Sequence, residues 1–218
     1  MSDDPTIPPG GEAACAERLA LSQKALSVMR HDLRNLLASV TIIAGRMEDC
    51  GDERLAKAAP LLVSSMERTV ALGVRAGELA GAMPGEPRAV ALTRVLGEVE
   101  GASGAAVEGA ATVRADEAQL GAILTELLAN ARAAGDAVTV RIGRDGDEVA
   151  VRVTDDGPGV PDYAQEHLFT PFKGAKRRDG TGLGLPLAAR LAAMNDGALR
   201  LEETGPNGST FLLTLPAG

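Results

Sequence analysis

From Cys15 onward, apolar residues recur at alternating steps of four and three: Cys15, Leu19, Ser22, Leu26, Met29, Leu33, Leu36, Val40, Ile43 and Met47. Nine of these ten are apolar. A period near ~3.5 residues predicts a long helix with one packing seam, from about Glu12 to Asp49. Cys50-Gly51-Asp52 stops the pattern and turns the chain. A second helix, about Glu53 to Ala80, places Leu55, Ala59, Leu62, Met66, Thr69, Gly73, Ala76 and Ala80 on one face, and Pro60 disturbs its first turns. Two long helices joined by a short turn make a hairpin too thin to bury its stripe. Two copies would cover it as a four-helix bundle, so a homodimer is expected.

Gly81 to Pro87 has four Gly or Pro in seven residues and marks a boundary. Beyond it the pattern becomes mixed. Asp116 to Gln119 reads as a cap with its partner, opening a helix that reaches about Ala134. Ala137–Gly143 and Glu148–Thr154 alternate apolar and polar residues around Arg144-Asp145-Gly146-Asp147, the signal of a strand hairpin. A helix over Leu183–Met194 and strands over Ala198–Glu202 and Ser209–Leu215 complete an α/β sandwich, with helices on one face of a mixed sheet. The expected organisation is a disordered tail over 1–11, a helical domain over 12–82, a linker over 83–87 and an α/β domain over 88–218.

Composition narrows the function. The net charge of −8 argues against a nucleic-acid partner reached through a basic surface. No apolar run approaches the ~20 residues of a membrane span and no signal peptide opens the chain, so no membrane insertion is expected. The two cysteines, Cys15 and Cys50, have no framework or metal-ligand spacing, which favours a reduced, cytoplasmic protein.

The chemistry starts at Met29-Arg30-His31-Asp32-Leu33-Arg34-Asn35. His31, one of two histidines, falls at the heptad position facing away from the seam, so it is displayed to solvent. Asp32 is adjacent and Asn35 lies one turn on, on the same face. A carboxylate can hold such an imidazole in one tautomer with the other nitrogen free to attack. In the second domain, Glu126 and Asn130 are four apart on a helix whose leucines face the core. An amide carbonyl there can help hold Mg²⁺ across phosphates. Asp155-Asp156-Gly157-Pro158-Gly159 runs a strand into a tight turn, where a carboxylate can accept from an adenine amino group. Gly180-Thr181-Gly182-Leu183-Gly184-Leu185 opens a helix with glycines, directing free N–H groups at an anion.

Over roughly residues 15 to 217 these motifs, in this order, resemble a two-component sensor histidine kinase core: a dimerisation and phosphotransfer hairpin followed by a GHKL (Bergerat) ATPase domain. His31 to Asn35 resembles the phospho-acceptor box, Glu126 to Ala131 the asparagine box and Asp155 to Gly159 the first glycine box. Phe169-Thr170-Pro171-Phe172-Lys173 resembles the phenylalanine box, Gly180 to Leu185 the second glycine box, and Gly208-Ser209-Thr210 the closing glycine-threonine turn. The resemblance implies an ATP- and Mg²⁺-dependent autokinase that passes phosphate from His31 to an aspartate on a response regulator receiver domain. It assigns His31 as nucleophile, Asp32 as the acidic neighbour that accepts its proton, Asn130 as magnesium ligand and Asp155 as adenine contact. Gly157 and Gly159 would pack the ring, and Gly180, Thr181, Gly182, Leu183 and Gly184 would cradle phosphate. Thr210 would close the pocket, and Lys173 with Lys176, Arg177 and Arg178 would form a short cationic lid.

Departures mark open choices. No proline follows the acceptor histidine, Glu126 stands where the first asparagine is usual, and Ala133 stands where a basic residue is common. Glu126 therefore competes with Asp32 as base and with Asn130 for the metal; Asp32 is favoured because it travels with the nucleophile. Asn35, three places after Asp32, resembles the pattern of kinases that also dephosphorylate their regulator. The alternatives are a phosphotransfer protein with a vestigial ATP site, and a GHKL ATPase or anti-sigma-type protein kinase. No sensor domain is recognisable, so a signal would arrive through the tail, a separate sensor protein or a sensor outside this sequence.

Overall fold

A computed structural model describes residues 11–99, 101–173 and 181–218, with side chains in the first helix described at Val28 and from His31 onward. The chain forms two units, the first ending at Gly81 and the second starting at Ala82. Residues 1–10 of the expected tail and Lys176, Arg177 and Arg178 of the cationic lid lie outside the described residues, as do the side chains of the upper seam from Cys15 to Leu26 and of Met29.

The first unit is the expected hairpin, α1 (Gly11–Asp49) and α2 (Glu53–Gly81). Gly11 already belongs to the helix. Gly51, at φ +79°, supplies the left-handed turn residue, and the Asp52 carboxylate accepts the Arg54 N–H at 2.8 Å to cap α2. α2 runs unbroken through Pro60. Its packed stripe overlaps the expected one by half. Ala59, Val70 and Gly77 are buried and Ala56, Val63, Met66, Gly73 and Ala76 half-buried, whereas Leu55, Leu62, Thr69 and Ala80 are exposed. The reason is steric: small residues let two helices approach closely, and a Cβ on Gly73 would lie 2.5 Å from Leu33 Cδ1. On α1, Leu33, Leu37, Val40, Ala44 and Met47 are covered to varying degrees, while the alternate seam positions Leu36 and Ile43 stay exposed at 53% and 54%.

The second unit holds β1 (Arg88–Ala91), α3 (Leu92–Glu98), β2 (Ala106–Glu108), β3 (Thr112–Ala115), α4 (Glu117–Ala134), β4 (Val138–Asp145), β5 (Glu148–Asp155), α5 (Asp162–Gln165), α6 (Gly184–Met194), β6 (Ala198–Gly205) and β7 (Gly208–Pro216). A five-stranded sheet runs β2-β4-β5-β7-β6, antiparallel except for the β2–β4 edge; β1 and β3 form a separate pair. α4 packs on β4 and β5, α6 packs on β6 and β7, and the two helices touch, so both lie on one face of the sheet. Leu120, Ile123, Leu124, Leu127, Leu128 and Ala131 form the buried stripe of α4 at helical spacing. It packs on β5, where Val149, Val151 and Val153 are buried at the two-residue period of strands, as are Phe211, Leu213 and Leu215 of the neighbouring β7. The expected β4–β5 hairpin forms with Asp145 opposite Glu148 and Gly146 at φ +60° in the turn.

The cap of α4 is only half the expected box. Asp116 Oδ1 accepts the Gln119 N–H at 3.0 Å, but the Gln119 side chain does not return to Asp116. The Asp116 N–H instead donates to Asn195 Oδ1 at 2.7 Å.

Candidate functional site

In the hairpin, the side chain of His31 is 75% exposed and that of Asp32 67%. Among the described residues both polar contacts of the ring fall on Nδ1, as alternatives: protonated, it donates to Asp32 Oδ1 at 3.4 Å; unprotonated, it accepts from Asn35 Nδ2 at 3.2 Å. The i+4 spacing of a continuous helix brings Asn35 back to the ring. Nε2 is thus left on the open side of a ring held by its other nitrogen, the arrangement a nucleophilic imidazole needs.

In the second unit, the separate motifs come together at one end of the α4–α6 layer. Asp155, 3% exposed, ends β5. Its Oδ1 accepts the Gly157 N–H at 3.0 Å and the Ser209 N–H at 3.3 Å, so one carboxylate pins both the first glycine turn and the closing turn. The Thr210 hydroxyl pairs with that of Thr154 at 3.0 Å. The Val160 N–H donates to Thr204 Oγ1 at 2.7 Å, fastening the far side of the same turn to β6. The glycines are needed, and the reason lies in the protein itself. A side chain on Gly157 would run into the backbone of Ala134 at the end of α4, and one on Gly159, at φ +80°, into the backbone of Gly205.

Glu126 and Asn130 sit on α4, the first buried and the second half-buried. The Glu126 carboxylate occupies the space a side chain on Gly184 would need, which ties the asparagine box to the first residue of α6. Leu183 is fully buried and contributes only backbone to the opening of α6; its N–H reaches Thr181 Oγ1 at 3.4 Å. The Phe172 N–H donates to the Gly182 carbonyl at 3.2 Å, joining the phenylalanine box to the second glycine box. Phe172, at φ +65°, and Lys173 are exposed there. Gly180 lies outside the described residues. Arg132, the basic residue nearest the usual place, is engaged elsewhere, donating to the carbonyls of Gly101 and Ser103 at 3.4 and 2.5 Å.

No group of three or more His, Cys, Asp or Glu side chains suited to a metal occurs among the described residues. A single amide carbonyl with a nearby carboxylate suits magnesium, which keeps several waters and takes its other oxygens from phosphates. Asn130 and Glu126 fit that pattern. The carboxylates with shifted pKa stand apart from these motifs. Glu117 is held down to about 2 by hydrogen bonds from Arg94 and Arg88, and Glu202 is lowered by Arg152. The sequence pattern marks Gln119 only as a capping partner and gives no sign of Asn195.

A sheet with two helices on one face, a glycine turn opening one helix and an Asp-Gly turn beside the other is the fold of the histidine kinase-, DNA gyrase B- and HSP90-like ATPases. Residues 115–218 match that family. The signal transduction histidine-protein kinase AfsQ2 of Streptomyces coelicolor is 36% identical over 108 residues, covering 47% of this chain and 20% of that protein. The sensor protein KdpD of Mycobacterium tuberculosis (strain H37Rv) is 31% identical over 240 residues, covering 94% of this chain and 28% of that protein. Full-length ShkA in complex with AMPPNP has the same fold, with a TM-score of 0.64 and 24% identity over 89% of this chain and 46% of that one. Residues 115–218 thus form an ATPase domain of this type behind a helical hairpin, and the chain is similar to two-component sensor histidine kinases. It spans a fifth to about a quarter of the length of these curated relatives.

Proposed function

We propose that the protein is an ATP-dependent histidine autokinase that phosphorylates His31 and passes the phosphoryl group to an aspartate of a response regulator. One observation carries this reading: an exposed imidazole engaged only through Nδ1, on a chain that also folds an ATPase domain of the histidine kinase family. In the reaction, Nε2 attacks the γ-phosphorus. The N–P bond forms, the bond from phosphorus to the β,γ-bridging oxygen breaks, ADP leaves, and the Nδ1 proton passes to Asp32. Asp155 would receive the adenine amino group. Backbone N–H groups at Thr181, Gly182 and Gly184, with Gly180, would face the phosphates, and Thr210 would close the pocket. Lys173 would meet the triphosphate. Asn130, with Glu126 near it, would hold magnesium, which supplies charge neutralisation at the β- and γ-oxygens when bound.

A homodimer goes with this reading. Leu36, Ile43 and Leu62, exposed at 53%, 54% and 44%, continue the heptad pattern outward from the hairpin, and a second copy would cover them. Ala38, Thr41, Ile42 and Gly45, below His31 on α1, would meet the regulator and set its choice. Asn35 would position water for dephosphorylation of the regulator. No described helix is long and apolar enough to cross a membrane, consistent with a cytoplasmic location for this core.

The test is incubation of the purified protein with labelled ATP and Mg²⁺. Wild type should gain base-stable, acid-labile phosphate that a receiver domain removes, and His31→Gln should gain none. Acid-stable label would instead favour a protein-serine kinase of the anti-sigma type. Absence of label with intact nucleotide binding would favour a phosphotransfer protein.

A further inference from the structure

We propose that Gln119 is a positioning residue for phosphoryl transfer. It fastens the segment after the hairpin to the ATPase domain and so confines the joint between the two units to Ala82. This rests on the autokinase reading above.

By composition, Gly81 to Pro87 is a flexible linker. Its second half is nevertheless held by the ATPase domain. Gln119 Nε2 donates to the Met83 carbonyl at 2.7 Å, and the Glu86 N–H donates to Asp116 Oδ2 at 3.0 Å. Gly85 lies so close to the Asp116 carboxylate that a Cβ there would not fit. The clamp has a buried backing. Asn195, 2% exposed, donates from Nδ2 to Gln119 Oε1 and to the Leu191 carbonyl, each at 2.8 Å, and its Oδ1 accepts the Asp116 N–H at 2.7 Å. These partners fix both amide orientations. The Leu191 carbonyl can only accept and the Asp116 N–H can only donate, so Asn195 has one orientation. Gln119 must then turn its oxygen to Asn195 and its NH₂ to Met83.

The placement matters because of where the two helices lead. α4 begins at this clamp and carries Glu126 and Asn130; α6 ends at it and begins at the glycine turn. The tether is therefore bonded to the far ends of both helices that would hold the nucleotide. Breaking the Met83 bond alone would lengthen the free joint from Ala82 to Ala82–Pro84, with Gly85 and Glu86 still held at Asp116. Once a flexible tether exceeds the span it must bridge, effective concentration falls with its length. The longer joint predicts a severalfold fall in the rate at which bound ATP meets the histidine, with binding of ATP itself unchanged.

Gln119→Glu is the specific test. It removes the donor to Met83 and keeps an oxygen for Asn195, so the buried backing survives; Gln119→Ala serves as the second variant. The ¹⁵N relaxation order parameter of the Met83 amide and single-turnover autophosphorylation across ATP concentrations would be measured on the full chain. The expected result is a lower order parameter at Met83, a severalfold lower maximal rate of phosphoryl transfer and an unchanged half-saturating ATP concentration in both variants. An unchanged order parameter overturns the proposal. So does an unchanged or higher maximal rate, or a rise in the half-saturating ATP concentration alone, which would make Gln119 a prop of the nucleotide pocket. If wild type itself gains no phosphate, the autokinase reading falls, and the relaxation data still decide whether the clamp exists.

Discussion

Asp155→Asn isolates one atom of the nucleotide pocket. Asp155 Oδ1 already accepts two backbone N–H groups, from Gly157 at 3.0 Å and Ser209 at 3.3 Å. No buried side-chain N or O atom among the described residues lacks a hydrogen bond, and Oδ2 has none from the protein, so solvent must reach it. In the proposed reading, Oδ2 would be the atom that receives the adenine amino group. In the asparagine variant the amide orientation is dictated: its oxygen must stay at the two N–H donors, because turning it would set NH₂ against both. The amide nitrogen then replaces Oδ2 and opposes the adenine amino group donor to donor. A hydrogen bond to a charged group is worth about 1.5–3 kcal/mol, so ATP affinity should fall about ten- to a hundredfold. The fold should survive, since both turns keep their acceptor. Asp155→Ala, by contrast, would orphan two buried N–H groups, cost about 2 kcal/mol or more and lower the melting temperature by several degrees. Titration of a fluorescent ATP analogue, with melting curves for both variants, checks each half. Wild-type affinity in a well-folded Asp155→Asn protein would refute the assignment of Oδ2 to adenine.

Three further outcomes follow from the structure. Phe211→Ala, at a ring 1% exposed on β7 beside Val153 and Leu201, should destabilise the ATPase domain by about 3–5 kcal/mol in denaturant unfolding. Glu117 is pulled from an ordinary value of 4.5 to about 2 by Arg94 and then Arg88. A lowered carboxylate pKa stabilises the fold fully above about pH 4.5, and that contribution is lost as pH falls toward 2. The melting temperature of Glu117→Gln should therefore fall less steeply than wild type across that window; parallel curves would remove the ion pair from the account. Asn35→Ala should keep autophosphorylation and lose dephosphorylation of the receiver domain, measured as decay of aspartyl phosphate.

The hairpin was legible almost to the residue because a long heptad pattern and an Asp-capped turn leave little choice. The packed face of α2 was not. Alanine and glycine recur all around that helix, so hydrophobicity cannot rank its faces, and the close approach at Gly73 decides instead. Residues 88–115 were read only as mixed, since their strands are three or four residues long and the two outer ones are largely exposed. In the ATPase domain the motifs were visible but some of their causes were not. Gly157 and Gly159 read as making room for a flat ring, yet each is already required by a neighbouring backbone, of Ala134 and of Gly205. The clamp of Gln119 and Asn195 joins residues 83, 119 and 195, a contact that no local pattern encodes.

The two carboxylates that compete for the role of base have opposite surroundings, and this favours one of them. Asp32 is two-thirds exposed and within 3.4 Å of the ring nitrogen whose proton must leave as Nε2 becomes bonded. It can take that proton and release it directly to solvent. Glu126 is 8% exposed, and its carboxylate fills the place where Gly184 has no side chain. It lies beside the start of α6, on the ATPase domain and not on the helix that carries the histidine. A group that follows the nucleophile suits proton transfer; a group built into the pocket wall suits the shape of the phosphate site.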